Sequence, residues 1–194
     1  MRRLIDDLLS LTRIELNEHV RPERREALAP IVAQAVAALA PLAAEDGITV
    51  TIQGEAPDIL GDHDELVQLF QNLVHNAIKY GREKGEVVVT LGRENGHAVV
   101  AIKDDGEGIP REALPRLTER FYRVDVKRSR ERGGTGLGLA IVKHIVGRHG
   151  GRLAIDSVLG EGSTFTVFLP ALAPPEAVEK PVESEVPVPV TEVL

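Results

Sequence analysis

The chain of 194 residues contains neither cysteine nor tryptophan, and aromatic residues make up only 3% of it. Without cysteine there are no disulfides and no thiolate metal sites, so a reducing compartment, by default the cytoplasm, is the expected home. So few aromatics leave no stacking platform for single-stranded nucleic acid. Positive charge is also short, with 23 Lys and Arg against 30 Asp and Glu for a net charge of -7. There is no arginine-rich tract, which argues against a broad basic face for nucleic acid. Long apolar runs are nearly absent. Met1-Arg2-Arg3 opens like an export signal, but Asp6 and Asp7 interrupt the run that should follow. Ala27 to Ala44 lacks charge for 18 residues, yet it is mostly alanine and carries Pro30, Gln34 and Pro41, so it reads as a helix of a soluble protein. Function is therefore to be sought in a local site on one main domain.

What is present is a readable order of elements. Leu4, Leu8 and Leu11, flanked by Met1 and Ile5, form a heptad-like stripe on a charged helix ending near Asn17, a stripe that calls for partner helices. A second helix covers about Pro30 to Glu45 and stops at Asp46-Gly47. Ile48 to Ile52 alternates as a strand. Asp62 is an N-cap candidate, with Glu65 completing a capping box, for a helix from about His63 to Tyr80. Val87 to Leu91 and Ala98 to Ile102 read as strands joined at Glu94-Asn95-Gly96. A further helix begins near Leu139, and strands follow around Leu153 to Asp156 and Thr164 to Leu169. This order suggests helices layered on one face of a mixed sheet. From residue 172 to 194 the chain turns to proline, glutamate and valine, a composition that reads as disordered.

Three segments carry chemistry. Gly133-Gly134-Thr135-Gly136-Leu137-Gly138 runs directly into an apolar helix. Glycines let backbone approach an anion, and the first helical turn offers unpaired N–H groups, so the segment is either a phosphate loop or a flexible turn. On the 63–80 helix, Asn72, Asn76 and Lys79 form a polar stripe beside the apolar face of Leu66, Leu69, Phe70, Leu73, Val74, Ala77 and Ile78. Two mid-helix asparagines are poor helix formers, and they mark either a ligand site or a solvated edge. Asp104-Asp105-Gly106-Glu107-Gly108-Ile109-Pro110 follows a strand end, where a carboxylate either opens a β-turn or accepts the exocyclic amine of adenine. Guanine carries a carbonyl oxygen at that position and would be repelled.

Together these segments, with Phe121-Tyr122-Arg123 and Gly160-Glu-Gly-Ser-Thr164-Phe165, resemble in identity and order the catalytic ATP-binding domain of bacterial sensor histidine kinases over about residues 26 to 170. The resemblance implies a two-layer α/β sandwich: a mixed, mostly antiparallel sheet of about five strands, covered on one face by about three helices, with an N-terminal helix added. It implies ATP and Mg²⁺ as cofactors, with Asn76 as metal ligand assisted by Asn72, Lys79 facing the phosphates and Tyr80 the nucleoside. Asp104 would read the adenine amine with Thr164 beneath the base. Gly106, Gly108 and Ile109 would belong to the first glycine box, Phe121 to the aromatic box, and Gly134, Thr135, Gly136, Leu137 and Gly138 to the second glycine box. A lid from about Arg120 to Thr135 would supply Arg123, Lys127, Arg128, Arg130 and Arg132. Spacing does not single out which of them meets the γ-phosphate, and Arg130 is carried forward with Lys79 as catalytic.

One departure stands out. The family places its phosphate-accepting histidine on the first of two dimerisation helices, beside an acidic residue, and none of His19, His63, His75, His97, His144 and His149 has that context. Residues 1 to 20 resemble the end of the second dimerisation helix, and 26 to 171 the catalytic domain. The expected partners are a histidine-bearing dimerisation domain and a response regulator receiver domain, with a homodimer only if the missing helix is supplied. Neither nucleic acid nor direct membrane contact is expected, although the parent protein would be anchored in the inner membrane. The wider superfamily of hydrolysing ATPases carries a glutamate base where this chain has Asn72, an amide that cannot take a proton. A stand-alone ATP-binding regulator and an anti-sigma-type serine kinase are the alternatives.

Overall fold

The computed structural model describes residues 2–17, 19–124 and 134–173. The expected disordered tail from residue 174 and the cations Lys127, Arg128, Arg130 and Arg132 lie outside the described residues.

Five strands form one sheet: β2 (Thr49–Gly54), β4 (Glu86–Glu94), β5 (His97–Asp104), β7 (Gly162–Pro170) and β6 (Arg152–Val158), in the spatial order β2-β4-β5-β7-β6. Only β2 and β4 run parallel. The other pairs are antiparallel, as a hairpin-rich sequence dictates. The β4–β5 hairpin turns on Asn95 and Gly96 with φ of 47° and 78°, the left-handed pair that a tight two-residue turn requires.

Three helices cover one face: α2 (Leu28–Glu45), α3 (His63–Tyr80) and α4 (Gly138–Arg148). Leu66, Leu69, Phe70, Leu73 and Ile78 of α3 are fully buried against Val87, Val89, Val100 and Ile102 of the sheet. Each such side chain contributes about 1.5–3 kcal/mol of burial free energy. The long apolar α2 lends Leu28, Ile31, Val32 and Ala35 to the same core.

Asp62 caps α3 as expected, its carboxylate accepting the Glu65 N–H at 3.1 Å. The reciprocal half of the capping box is absent. The Asp62 N–H donates to His149 Nε2 at 3.1 Å, and the Glu65 carboxylate lies 2.6 Å from Arg148 Nη1 at the far end of α4. Arg148 Nε also donates to the carbonyls of Asn17 and Val20, tying the segment after the first helix to the domain. A two-stranded ribbon of β1 (Arg25–Glu26) and β3 (Ile59–Leu60) escapes a periodicity search because two residues carry no period.

The N-terminal helix α1 (Arg2–Leu16) divides the expected stripe. Leu11 and Ile14 are buried on the chain's own domain, along α4, whereas Leu4, Ile5, Leu8 and Leu9 stay exposed. Intramolecular docking thus buries the apolar residues of the helix's C-terminal half and leaves those of its N-terminal half exposed.

Candidate functional site

A cavity of about 240 Å³ lies between α3, the end of β5 and the loop that leads into α4. Asn72, Asn76, Lys79 and Tyr80 all line it, which resolves the polar stripe on α3: its helical period turns these side chains to the cavity while the apolar face is buried beneath. Lys79 is largely buried, with Nζ 5.0 Å from the centre of the Tyr80 ring.

Asp104 forms one end of the cavity. It is 4% exposed, and its Oδ1 accepts N–H groups from Gly106 at 2.9 Å and Ser163 at 3.3 Å. Burial pushes its carboxyl above the ordinary range; these two backbone donors oppose that push, and neighbouring Asp105 adds to it. Because Oδ1 serves the backbone, Oδ2 is the oxygen left for a ligand. Adjacent Asp105 has a different task, accepting the N–H groups of Arg82 and Glu86 and so closing the turn after α3.

The first glycine box is shaped by close approach. A Cβ at Gly106 would stand 2.2 Å from the Tyr80 carbonyl oxygen. Gly108 has φ +72°, and a Cβ there would stand 2.1 Å from the Val158 oxygen. Ile109 lines the cavity, and its N–H donates to Ser157 Oγ at 2.8 Å.

At the other end, Gly134, Thr135, Gly136 and Gly138 line the cavity. Gly138 opens α4, and the position of its missing Cβ is 3.3 Å from Asn72 Oδ1, so the N-terminus of α4 faces the asparagine stripe. Leu137 is fully buried and anchors the loop in the core without lining the cavity. Thr135 Oγ1 accepts the Leu137 N–H at 3.3 Å and donates to Asp7 Oδ2 at 2.7 Å.

Two expected contacts fall elsewhere. Phe121 has φ +62° and an exposed ring; it serves the site through its N–H, which donates to the Gly136 oxygen at 2.8 Å. Its neighbours Tyr122 and Arg123 line the cavity, Arg123 Nη2 donating to the Gly134 oxygen. Thr164, expected beneath the base, does not line the cavity. It pairs with Lys103 while Ser163 pairs with Asp104, so alternation puts Ser163 and Phe165 on the cavity face and Thr164 on the opposite face of the sheet. The sequence also gave no warning of Asp7 and His75, which line the cavity too. His75 stands three residues after Asn72 and four before Lys79, so the same helical spacing marks it, but no local pattern marks Asp7.

The donors present suit Mg²⁺. Among the described residues no group of three His, Cys, Asp or Glu could hold a metal by itself. Magnesium keeps its waters and binds triphosphate oxygens, so it needs few protein ligands, and two amide oxygens beside a phosphate loop fit that demand.

Residues 61–173 match the family described as Histidine kinase-, DNA gyrase B-, and HSP90-like ATPase. The phosphate regulon sensor protein PhoR of Pseudomonas aeruginosa is 40% identical over 173 residues, which are 88% of this chain and 39% of that protein. The sensor-like histidine kinase SenX3 of Mycolicibacterium smegmatis is 38% identical over 177 residues, 90% of this chain and 46% of that protein. The chain thus spans less than half the length of these curated relatives. Among solved structures, the mycobacterial sensor histidine kinase MprB superposes with a TM-score of 0.68 at 28% identity, covering 76% of this chain and 97% of that one. Full-length ShkA in complex with AMPPNP gives 0.74 at 28% identity, covering 88% of this chain and 36% of that one. The chain therefore belongs to the family of histidine kinase-, DNA gyrase B- and HSP90-like ATPases, and the relatives it matches are sensor histidine kinases.

Proposed function

We propose that this chain binds Mg²⁺ and ATP in the α3–α4 cavity and donates the γ-phosphate to a histidine on a partner's helix, as the catalytic part of a two-component sensor kinase. The observation that carries the proposal is a single cavity with the buried Asp104 carboxylate at one end and the N-terminus of α4 at the other, joined by the Asn72, Asn76 and Lys79 stripe.

Asp104 Oδ2 accepts the adenine amine while Oδ1 stays fixed by Gly106 and Ser163. Asn76 holds the metal with Asn72 beside it, and the metal would neutralise phosphate charge. Lys79 and the backbone N–H groups of the α4 loop orient the phosphates, a positioning task that phosphoryl transfer needs more than covalent help. Arg130 is the proposed lid cation for the γ-phosphate. The partner's imidazole nitrogen forms a bond to the γ-phosphorus as the bridging P–O bond breaks and ADP departs. Water is a poor competitor because Asn72 supplies no base.

The phosphohistidine would pass its group to a response regulator receiver domain. Use of ATP puts the domain in the cytoplasm, beneath a parent anchored in the inner membrane. Residues 26–171 form the proposed catalytic unit, with 1–20 the end of a dimerisation helix.

Calorimetric titration of ATP and GTP into the native chain and Asn76→Ala, with and without Mg²⁺, tests the assignment. Binding of ATP over GTP, dependent on Mg²⁺ and lost in Asn76→Ala, is expected. Equal ATP affinity in both proteins would overturn the site.

A further inference from the structure

Asp7 is the one acidic side chain that α1 delivers into the cavity. Its Oδ2 accepts the Thr135 hydroxyl at 2.7 Å, across 128 residues of sequence. Thr135 lies just ahead of α4, which opens at Gly138. A helix N-terminus presents unpaired N–H groups and a partial positive charge. The Thr135 hydroxyl also accepts the Leu137 N–H at 3.3 Å, so the Asp7 carboxylate reaches the entrance of α4 through Thr135 and brings negative charge to the side of the cavity that suits a phosphate. Three further attachments hold α1 in this pose. Leu11 and Ile14 are buried beneath it, Ser10 Oγ donates to Gln68 Oε1 at 2.7 Å, and Glu15 pairs with Arg120 and lies 3.4 Å from His144 Nε2. Leu4, Ile5, Leu8 and Leu9 remain exposed, so the apolar residues of the N-terminal half of α1 take no part in this docking.

We infer that docked α1 is a brake on nucleotide binding, with the Asp7 carboxylate serving as a built-in anion that a triphosphate must displace. The inference rests on the ATP site proposed above. The Asp7 carboxylate and a phosphate chain repel each other inside one cavity, and Asp7 occupies the hydroxyl of Thr135 in the loop that leads into α4. Docking of α1 and binding of nucleotide therefore oppose one another. By linkage, whatever pulls α1 from the domain raises nucleotide affinity by the same factor by which nucleotide loosens α1. The position of α1 thereby becomes an input to the nucleotide site. If Asp7 were instead an additional ligand for the metal, the sign of its effect on affinity would be reversed.

The test is calorimetry of ATP with Mg²⁺ on the 194-residue native chain, Asp7→Asn, Leu11→Asp and the double variant. Asp7→Asn removes the charge but keeps an oxygen for Thr135, and it is expected to bind ATP about three- to tenfold more tightly, the range for removing one like charge from a partly screened site. Leu11→Asp unseats the whole helix and should give an equal or larger gain, to which Asp7→Asn adds nothing. Saturating ATP should speed hydrogen exchange at the α1 amides of the native chain. Unchanged or weaker ATP binding by Asp7→Asn, with Asn76→Ala still abolishing it, would overturn the brake alone. Undiminished binding by Asn76→Ala would overturn the site assignment, and the brake with it.

Discussion

Replacing Asp104 by asparagine changes one atom at the base-reading end of the site, and the structure fixes which atom. The backbone N–H groups of Gly106 and Ser163 both point at Oδ1, so an asparagine must keep its oxygen there and put its amide nitrogen where Oδ2 was. Two donors would then face each other across the adenine amine. A hydrogen bond to a charged acceptor is worth about 1.5–3 kcal/mol, so ATP affinity should fall by about 10- to 100-fold. GTP should gain, because the new donor meets the carbonyl oxygen of guanine. Calorimetry with both nucleotides reads the two changes together.

Stability should move the other way. Burial raises the Asp104 pKa above its ordinary value of 3.8, so the folded state holds its proton more tightly than the unfolded chain. Folding stability from this group is therefore full below pH 3.8 and is lost as pH rises through the folded pKa. Asp104→Asn removes that loss, so without nucleotide the variant should melt at or above the native temperature at pH 7. Any such advantage should shrink toward pH 3.5. ATP affinity within twofold of native, with GTP binding no better, would refute the reasoning about Oδ2.

Gly108→Ala forces a side chain into a left-handed backbone and against the Val158 oxygen, so urea denaturation should show a loss of about 1–3 kcal/mol, with weaker adenosine binding. A variant as stable as native would mean that the loop accommodates a methyl group. His149 donates from Nδ1 to the Ile145 oxygen and accepts at Nε2 from the Asp62 N–H, and burial lowers its pKa from the ordinary value of 6.5. The unfolded chain therefore binds the proton first, and native stability should fall as pH drops below 6.5. His149→Gln should flatten that slope between pH 7 and 5, and parallel native and variant curves would contradict the assignment.

Local chemistry made much of this molecule legible in its sequence. Asp62 as a cap, Asn95-Gly96 as a turn and the apolar face of α3 each depend on neighbours within a few residues. Asn72, Asn76 and Lys79 line one cavity because a helix repeats its faces over the same short range. What escaped depends on distant partners. Glu65 leaves its capping box for Arg148, 83 positions away. Thr164 falls on the face of the sheet away from the cavity, a matter of parity that only the pairing of Ser163 on β7 with Asp104 on β5 settles. Phe121 serves through its N–H, a role that residue type does not reveal. Asp7 reaches Thr135 only because Leu11 and Ile14 find a seat on the domain.

Phosphoryl transfer in trans tests the central claim most directly. The native chain is incubated with γ-labelled ATP, Mg²⁺ and a separately produced two-helix dimerisation domain that carries an acceptor histidine. Acid-labile, alkali-stable label is expected on that domain and not on this chain, and it should vanish with Asn76→Ala. Label on one of this chain's own six histidines, or release of phosphate to water without any labelled domain, would contradict the account.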